Sequence, residues 1–387
     1  MIKRTLFDET HDMFRQTVAT FIQREVVPNF PKWEQQGIVD RSFYHLAGKA
    51  GLLGMAVPTE YGGGGTDDFR HNVIITEEFA RAGVMNAGQG IFVHNDSILP
   101  YFLKLATAEQ RQRWLPGLCT GKLLAAIAMT EPNAGSDLQA VASRAEKDGS
   151  SFVLNGSKQF ISNGINSDLV IVVCRTRGLP DDPPKHCLSL LVVEAGMDGF
   201  KRGRNLSKVG QHAADTAELF FTDVHIPAAN VLGEEGRAFY HLMDRLIQER
   251  LAIASQAVAH AVTAFGWTLE YTKQRRAFGQ PIATFQNSRF VLASMRTELD
   301  IAQVFLDRQI EAHLAGELDS EDAAECKWWC AELNKRVLDS CLQLHGGYGY
   351  MEEFPIARAW RDGRVLSIYG GTTEIMKEII GHRKLGI

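Results

Sequence analysis

The sequence predicts an α+β multidomain protein: an N-terminal all-α domain, a middle antiparallel β-barrel or sandwich domain, and a C-terminal four-helix bundle. Three observations predict it. Apolar residues recur at helical spacing through the first part of the chain. Short β-rich runs with turn signals fill the middle, and patterns stepping by three and four return after Glu234. At 387 residues the chain is long for one core, and the changes of texture divide it at 1–116, 117–233 and 234–387.

In the first segment Phe14, Val18, Ile22 and Val26 step by four, and Pro28 and Pro31 are expected to close that helix. Further helices are expected over 42–50, 68–82 and 88–105, and Thr107 to Gln110 reads as a capping box opening another. Gly62–Gly65 lack the Lys-Ser/Thr of a phosphate loop and read as a turn. In the middle segment 124–129, 151–154, 169–174, 187–193 and 217–221 read as strands, 141–146 alternates, and Asp148-Gly149 and Asn155-Gly156 read as turns. LPDDPPK, 179–185, reads as a surface loop. In the last segment Leu292, Met295, Leu299, Ala302 and Leu306 form a bundle seam, Ser320 is a candidate cap, and glycines end a helix at QLHGGYGY.

Composition excludes several classes. A net charge of −5 with interspersed signs gives no nucleic-acid footprint. No apolar run approaches the roughly 20 residues of a membrane span. The chain opens MIKRTLFDE directly into an amphipathic pattern, without the look of a signal or transit peptide; a cytoplasmic protein is expected, or a mitochondrial matrix protein if the chain is a processed one. Six scattered cysteines read as reduced core thiols. No HExxH or CxxC pair is present, so no metal is expected.

The chemistry gathers around LIQERLAIA, 246–254. No charged residue follows from Leu251 to Leu269, so the helix there is buried on most sides, yet Gln248, Glu249 and Arg250 stand at its mouth. Either the helix emerges into solvent at that point, or Glu249 faces a dry pocket that raises its pKa and makes it a general base. Five other stretches are suited to a ligand. MTEPNAGSD, Met129–Asp137, leaves a strand and offers Thr130, Ser136 and backbone N–H groups. KQFISNG puts Phe160 two residues before Ser162, a flat face beside a hydroxyl. RRAFGQPI at 275–282 carries two cations and an aromatic. The bare glycines of QLHGGYGY admit close backbone approach, and IYGGTTEIM starts a helix at Thr372. Each alone equally fits a plain loop or a charged surface. No Rossmann fingerprint follows a predicted strand.

Together, in order and spacing, these stretches resemble the acyl-CoA dehydrogenase family over essentially the whole chain. QERLAIA, DTAELFF, YTKQRRAFGQ, QLHGGYGYMEEFPIA and IYGGTTEIMKE carry the resemblance, which is greatest to its long-chain members. The resemblance implies FAD held non-covalently between the β domain and the C-terminal bundle. Met129 and Thr130 would hold the flavin's pyrimidine side, Ser136 would lie near pyrophosphate and substrate, and Phe160 and Ser162 would lie beside the ring, where relatives often carry Trp and Thr. Arg275, Phe278, Gln286, Gln343, Gly346 and Gly347 would reach the FAD of a neighbouring subunit, and Thr372 and Glu374 that of their own. A homotetramer built as a dimer of dimers follows from such a shared site.

The resemblance further implies α,β-dehydrogenation of an acyl-CoA to the trans-2-enoyl-CoA in fatty-acid β-oxidation, with electrons passing to electron-transfer flavoprotein. Many members carry the base within the segment matching Tyr369–Gly371; Gly370 there cannot serve, whereas long-chain and isovaleryl-type members carry a Glu matching Glu249. Gly370 N–H, with Gly371 beside it, would bond the thioester oxygen. Arg250 would face the CoA phosphates or a structural carboxylate, Tyr240 would contact substrate, and Lys185 and His186 align with a CoA-contacting loop. Gly370→Glu in a Glu249→Gln background is expected to restore some activity. The pocket floor is expected around Gln89–Gly90, and a straight medium to long acyl chain is expected, with a branched short one as rival. An acyl-CoA oxidase would use the same residues but is usually much longer. A non-catalytic CoA-ester-binding paralogue would lose base or flavin residues, and this chain keeps both.

Overall fold

The computed structural model describes residues 2–177 and 186–387. Helices α1 (Glu9–Phe21), α2 (Phe30–Gln36), α3 (Arg41–Lys49), α4 (Arg70–Arg81), α5 (Gln89–Phe92), α6 (Leu99–Leu105) and α7 (Ala108–Cys119) come first. The Thr107 hydroxyl accepts from Gln110 N and the Gln110 side chain returns to Thr107 N, so the capping box forms. Two expectations change. The first helix ends in a π-helical turn, Ile22–Val26, just before Pro28, but Pro31 does not close it: it opens α2 in its first turn, where its missing N–H costs no bond. The helix expected over 88–105 is interrupted by a second π-helical turn, Val93–Ile98. That turn carries Asn95, Asp96 and Ser97, and such turns occur often at functional sites.

The strands are β1 (Ala125–Ala128), β2 (Arg144–Asp148), β3 (Ser151–Ser162), β4 (Leu169–Arg175), β5 (Leu188–Glu194), β6 (Phe200–Asn205) and β7 (Thr216–Pro227). They form one curled sheet in the order β1-β4-β2-β3-β7-β6, with β5 also on β4. The sheet is mixed rather than wholly antiparallel, because β1 runs parallel to β4. Residues of β4 alternate between two cores: Leu169, Ile171 and Val173 face the N-terminal helices, and Val170, Val172 and Cys174 face the inside of the curl. Burial on both faces explains its unbroken apolar run. Asn155-Gly156 is not a turn. It lies within β3 at a bulge, and a Cβ on Gly156 would meet Ser143 Oγ at 2.3 Å. The polar edge strand β6 has no apolar run to signal it. The expected loop at 179–185 lies outside the described residues.

The C-terminal part is built on three long helices, α8 (Ala238–Gln274), α9 (Gln286–Leu314) and α10 (Ser320–His345). The shorter α11 (Pro355–Gly363) and α12 (Thr373–Ile379) close it. A two-strand hairpin, β8 (Arg276–Ala277) and β9 (Gln280–Pro281), joins α8 to α9. Every residue of α8 from Leu251 to Ala261 is buried, because α4, α9, α10 and α11 surround it. All six cysteines are buried, and no disulfide forms among the described residues. Among the described residues no helix is long and apolar enough to cross a membrane.

Candidate active site

Where α8 leaves this packing, it meets β1, β3 and the π turn 93–98, and a cavity of about 450 Å³ opens between them. Phe92, Val93, Ile127, Leu138, Phe239, Met243, Leu246 and Ile253 give it a largely apolar wall. Into it open Met129, Thr130, Ser136, Phe160, Ser162, Glu249, Arg250, Gly370 and Gly371, nine residues drawn from four of the sequence motifs. Two devices hold the β side. Lys158, fully buried, donates through Nζ to Glu131 Oε1 (2.7 Å) and to Met129 O (2.9 Å), and Glu131 accepts from the N–H groups of Ala142 and Ser143. This pair fixes the loop that leaves β1. Between Lys158 and Ile161 β3 slips register, and Phe160 takes φ 61°, a left-handed conformation that costs a bulky residue about 1–2 kcal/mol. The ring is 61% exposed, an unspent apolar face beside three hydroxyls. A flat heterocycle with polar edges fits that donor set.

Glu249 stands on the opposite wall. Burial pushes its carboxyl up from the ordinary range, while Arg250, Lys327 and a hydrogen bond with the Ser97 hydroxyl pull it down; the net direction is up. Asp96, buried beside it, is pushed up to about 7 by burial and by the Glu249 charge, against a hydrogen bond from Asn72 Nδ2 (2.7 Å). The Glu249 charge thus disfavours ionisation of Asp96. Gly370 and Gly371, at φ 64° and 95°, turn the chain opposite Glu249. Gln89 lies on the cavity floor with Gln256, to which the Tyr369 hydroxyl donates (3.2 Å).

The remaining expected residues lie elsewhere. Arg275, Gln343, Gly346 and Gly347 meet in a second cleft, floored by Tyr271 stacked on His345 at 4.2 Å. Phe278 projects from the hairpin at 96% exposure, and Gln286 opens α9. Thr372 caps α12 by accepting from Ile375 N, and its neighbour Glu374 is exposed; neither lines the cavity. Arg250 is buried and turns towards α10, where it donates to Ser320 Oγ at 3.3 Å. It makes no ion pair with a structural carboxylate among the described residues. His186 packs near Tyr240, over which Arg237 lies, so these two are neighbours outside the cavity lining. Lys185 lies outside the described residues.

Sequence reasoning missed Asp96, Ser97, Lys158 with Glu131, and Lys327. A signal existed for Lys327: it falls on the apolar stripe Ala323, Cys326, Cys330, Ala331 of α10, where a charge needs a reason.

The helical, β and helical parts match, in chain order, the acyl-CoA dehydrogenase N-terminal domain (residues 8–122), middle domain (126–224) and C-terminal domain (236–385). With the matches running nearly from end to end, the chain belongs to the acyl-CoA dehydrogenase family. It is 47% identical over 377 residues to the mitochondrial long-chain specific acyl-CoA dehydrogenase of Sus scrofa, covering 97% of this chain and 87% of that protein. An acyl-CoA dehydrogenase structure from Geobacillus kaustophilus superposes with a TM-score of 0.96 at 47% identity, covering all of both chains. A glutaryl-CoA dehydrogenase of Mycobacterium smegmatis, solved in complex with FADH2, superposes at 0.90 with 25% identity over 99% of this chain and 96% of that one.

Proposed function

We propose that the protein oxidises straight acyl-CoA thioesters of medium to long chain to the trans-2-enoyl-CoA, with FAD as cofactor and Glu249 as base. The observation that carries this is a carboxyl with a raised pKa in an apolar cavity, facing both the Gly370 turn and the strained, exposed Phe160 edge. Met129, Thr130, Ser136, Phe160 and Ser162 would hold the flavin. When bound, FAD supplies the acceptor for the hydride that leaves the β-carbon. Glu249 would remove the α-proton, and the pair from that C–H bond, shared with the thioester oxygen during the step, becomes the α,β π bond as the hydride leaves the β-carbon. The Gly370 N–H donates to that oxygen as charge gathers there; removing a donor of this kind costs about 10²–10³ in rate. The apolar wall excludes water from the proton transfer and suits an alkyl chain.

A shared site agrees with the second cleft, whose cation and bare glycines are set apart from the cavity, and with the exposed Phe278. On this reading Arg275, Phe278, Gln286, Gln343, Gly346 and Gly347 serve the FAD of a neighbouring copy in a homotetramer. Electron-transfer flavoprotein is the proposed acceptor. Anaerobic titration with a ladder of acyl-CoAs, read by flavin absorbance, tests the function. Bleaching with an optimum beyond five carbons is expected. An optimum at four or five carbons, or with a branched ester, would replace the substrate assignment, and a colourless protein would remove the cofactor.

A further inference from the structure

Lys327 has no place in the chemistry above, yet it is fully buried on α10. Among the described residues no carboxylate forms an ion pair with it. Its one hydrogen bond among those residues runs from Nζ to Gly371 O, at 2.5 Å. The carbonyl it holds therefore belongs to the turn that carries the Gly370 N–H. That turn faces the base, since a Cβ on Gly370 would stand 3.7 Å from Glu249 Oε1. A buried ammonium with no carboxylate in ion-pair contact is costly. Leucine or methionine would fill the same stripe of α10 without that cost.

We propose that Lys327 is a positioning residue for the reaction: its ammonium fixes the Gly370–Gly371 turn and supplies a positive field that favours the Glu249 carboxylate in a largely apolar cavity. The inference rests on Glu249 being the base. Two contributions follow from one group. The hydrogen bond holds the turn that presents the Gly370 N–H to the thioester oxygen. The charge acts on the carboxylate before proton transfer and on the developing enolate after it, so it favours the charged partner at both ends of the step. The groups facing Lys327 are Arg250 and Glu249 from α8, Glu332 from its own helix and Glu374 from α12. Burial first, then Arg250, pushes the ammonium down to about 8, and the three carboxylates oppose this. Glu249 is faced by Arg250, Lys327 and Ser97, and Asp96 lies alongside.

The test is an infrared titration of the resting holoprotein, following the Glu249 carboxyl band and identifying it by its loss in Glu249→Gln. The pH profile of kcat/KM is measured beside it. Lys327→Met is expected to raise the Glu249 titration and the acid limb together by about one pH unit, the shift typical of losing a nearby opposite charge. Lys327→Arg is expected to restore most of it. A Lys327→Met protein that titrates like the native one overturns the inference, as does an Arg variant displaced as far as Met, which would mean that only packing changed. Should Lys327→Met not yield holoprotein, the native band must respond to loss of a neighbouring cation near pH 8; a band unchanged from pH 7 to 10 overturns the proposal. Normal turnover by Glu249→Gln would instead remove the base assignment itself, so the two failures are distinct.

Discussion

Glu249 Oε1 and Gly370 face each other so closely that a methyl group added to the glycine would touch the carboxylate at 3.7 Å. The two positions at which relatives are expected to carry their base thus open on one point of the cavity, and here one of them is filled. Glu249→Gln should keep flavin and bind acyl-CoA but lose about 10²–10⁴ in the rate of flavin reduction. Stopped-flow reduction under anaerobic conditions measures it.

Moving the base to Gly370 is harder than the sequence suggests. The glycine has φ 64°, and a Cβ there would meet Ile253 Cδ1 at 2.3 Å. Gly370→Glu in the Glu249→Gln background is therefore expected to recover little turnover, since its backbone is left-handed and the end of the Ile253 side chain must swing aside. Adding Ile253→Ala makes room, and the triple variant should recover measurable turnover. Equal activity with and without the Ile253 change would contradict this.

Asp96 should make stability fall with rising pH. Its folded pKa, about 7, lies above the ordinary 3.8, so the folded state binds this proton more tightly. That contribution is complete below about pH 4 and is lost as pH rises to about 7. Asp96→Asn should flatten the pH dependence of unfolding across that window and stabilise the protein at pH 8, by an amount of order 3 kcal/mol. Urea unfolding at several pH values decides this.

The Lys158–Glu131 pair should matter more when broken than when deleted. Lys158→Met leaves a buried carboxylate and frees Met129 O, and should cost about 3–5 kcal/mol with loss of flavin. Lys158→Met with Glu131→Gln should cost less than the single change. Thermal unfolding and the flavin-to-protein ratio test this.

Phe160 is strained, and on the proposed function that strain presents its ring to the flavin. Phe160→Gly removes the left-handed penalty, so flavin-stripped protein should be no less stable and up to about 1 kcal/mol more so. The holoprotein should lose flavin on dilution faster than wild type. A variant that retains flavin as tightly as wild type would show that the ring contributes nothing to binding.

The order of α, β and α parts was legible in the sequence because it depends on local periodicity and turn chemistry. The Thr107 capping box and the apolar run of β4 formed as expected. Glu249 was legible as a charge at the edge of an uncharged helix, though its alternative, a solvated helix end, could not be dismissed from sequence. Where local signals misled, a longer-range contact decided. Asn155-Gly156 is a turn dipeptide by composition, but Ser143 packs against its glycine and β7 pairs past it. Pro31 could end one helix or begin the next, and packing of Phe30 and Trp33 selects the second.

What the sequence determined by itself was therefore the elements and the residues able to do the chemistry, since propensity, period and side-chain type are local properties. The tertiary structure alone decided which of them meet. Asp96 becomes a weak acid only because α4 and α8 bury it, and Lys327 becomes a neighbour of Glu249 only because α10 lies against α8. Ionisation energies depend on the groups that surround a charge, and those groups come from elements up to hundreds of residues apart in the chain.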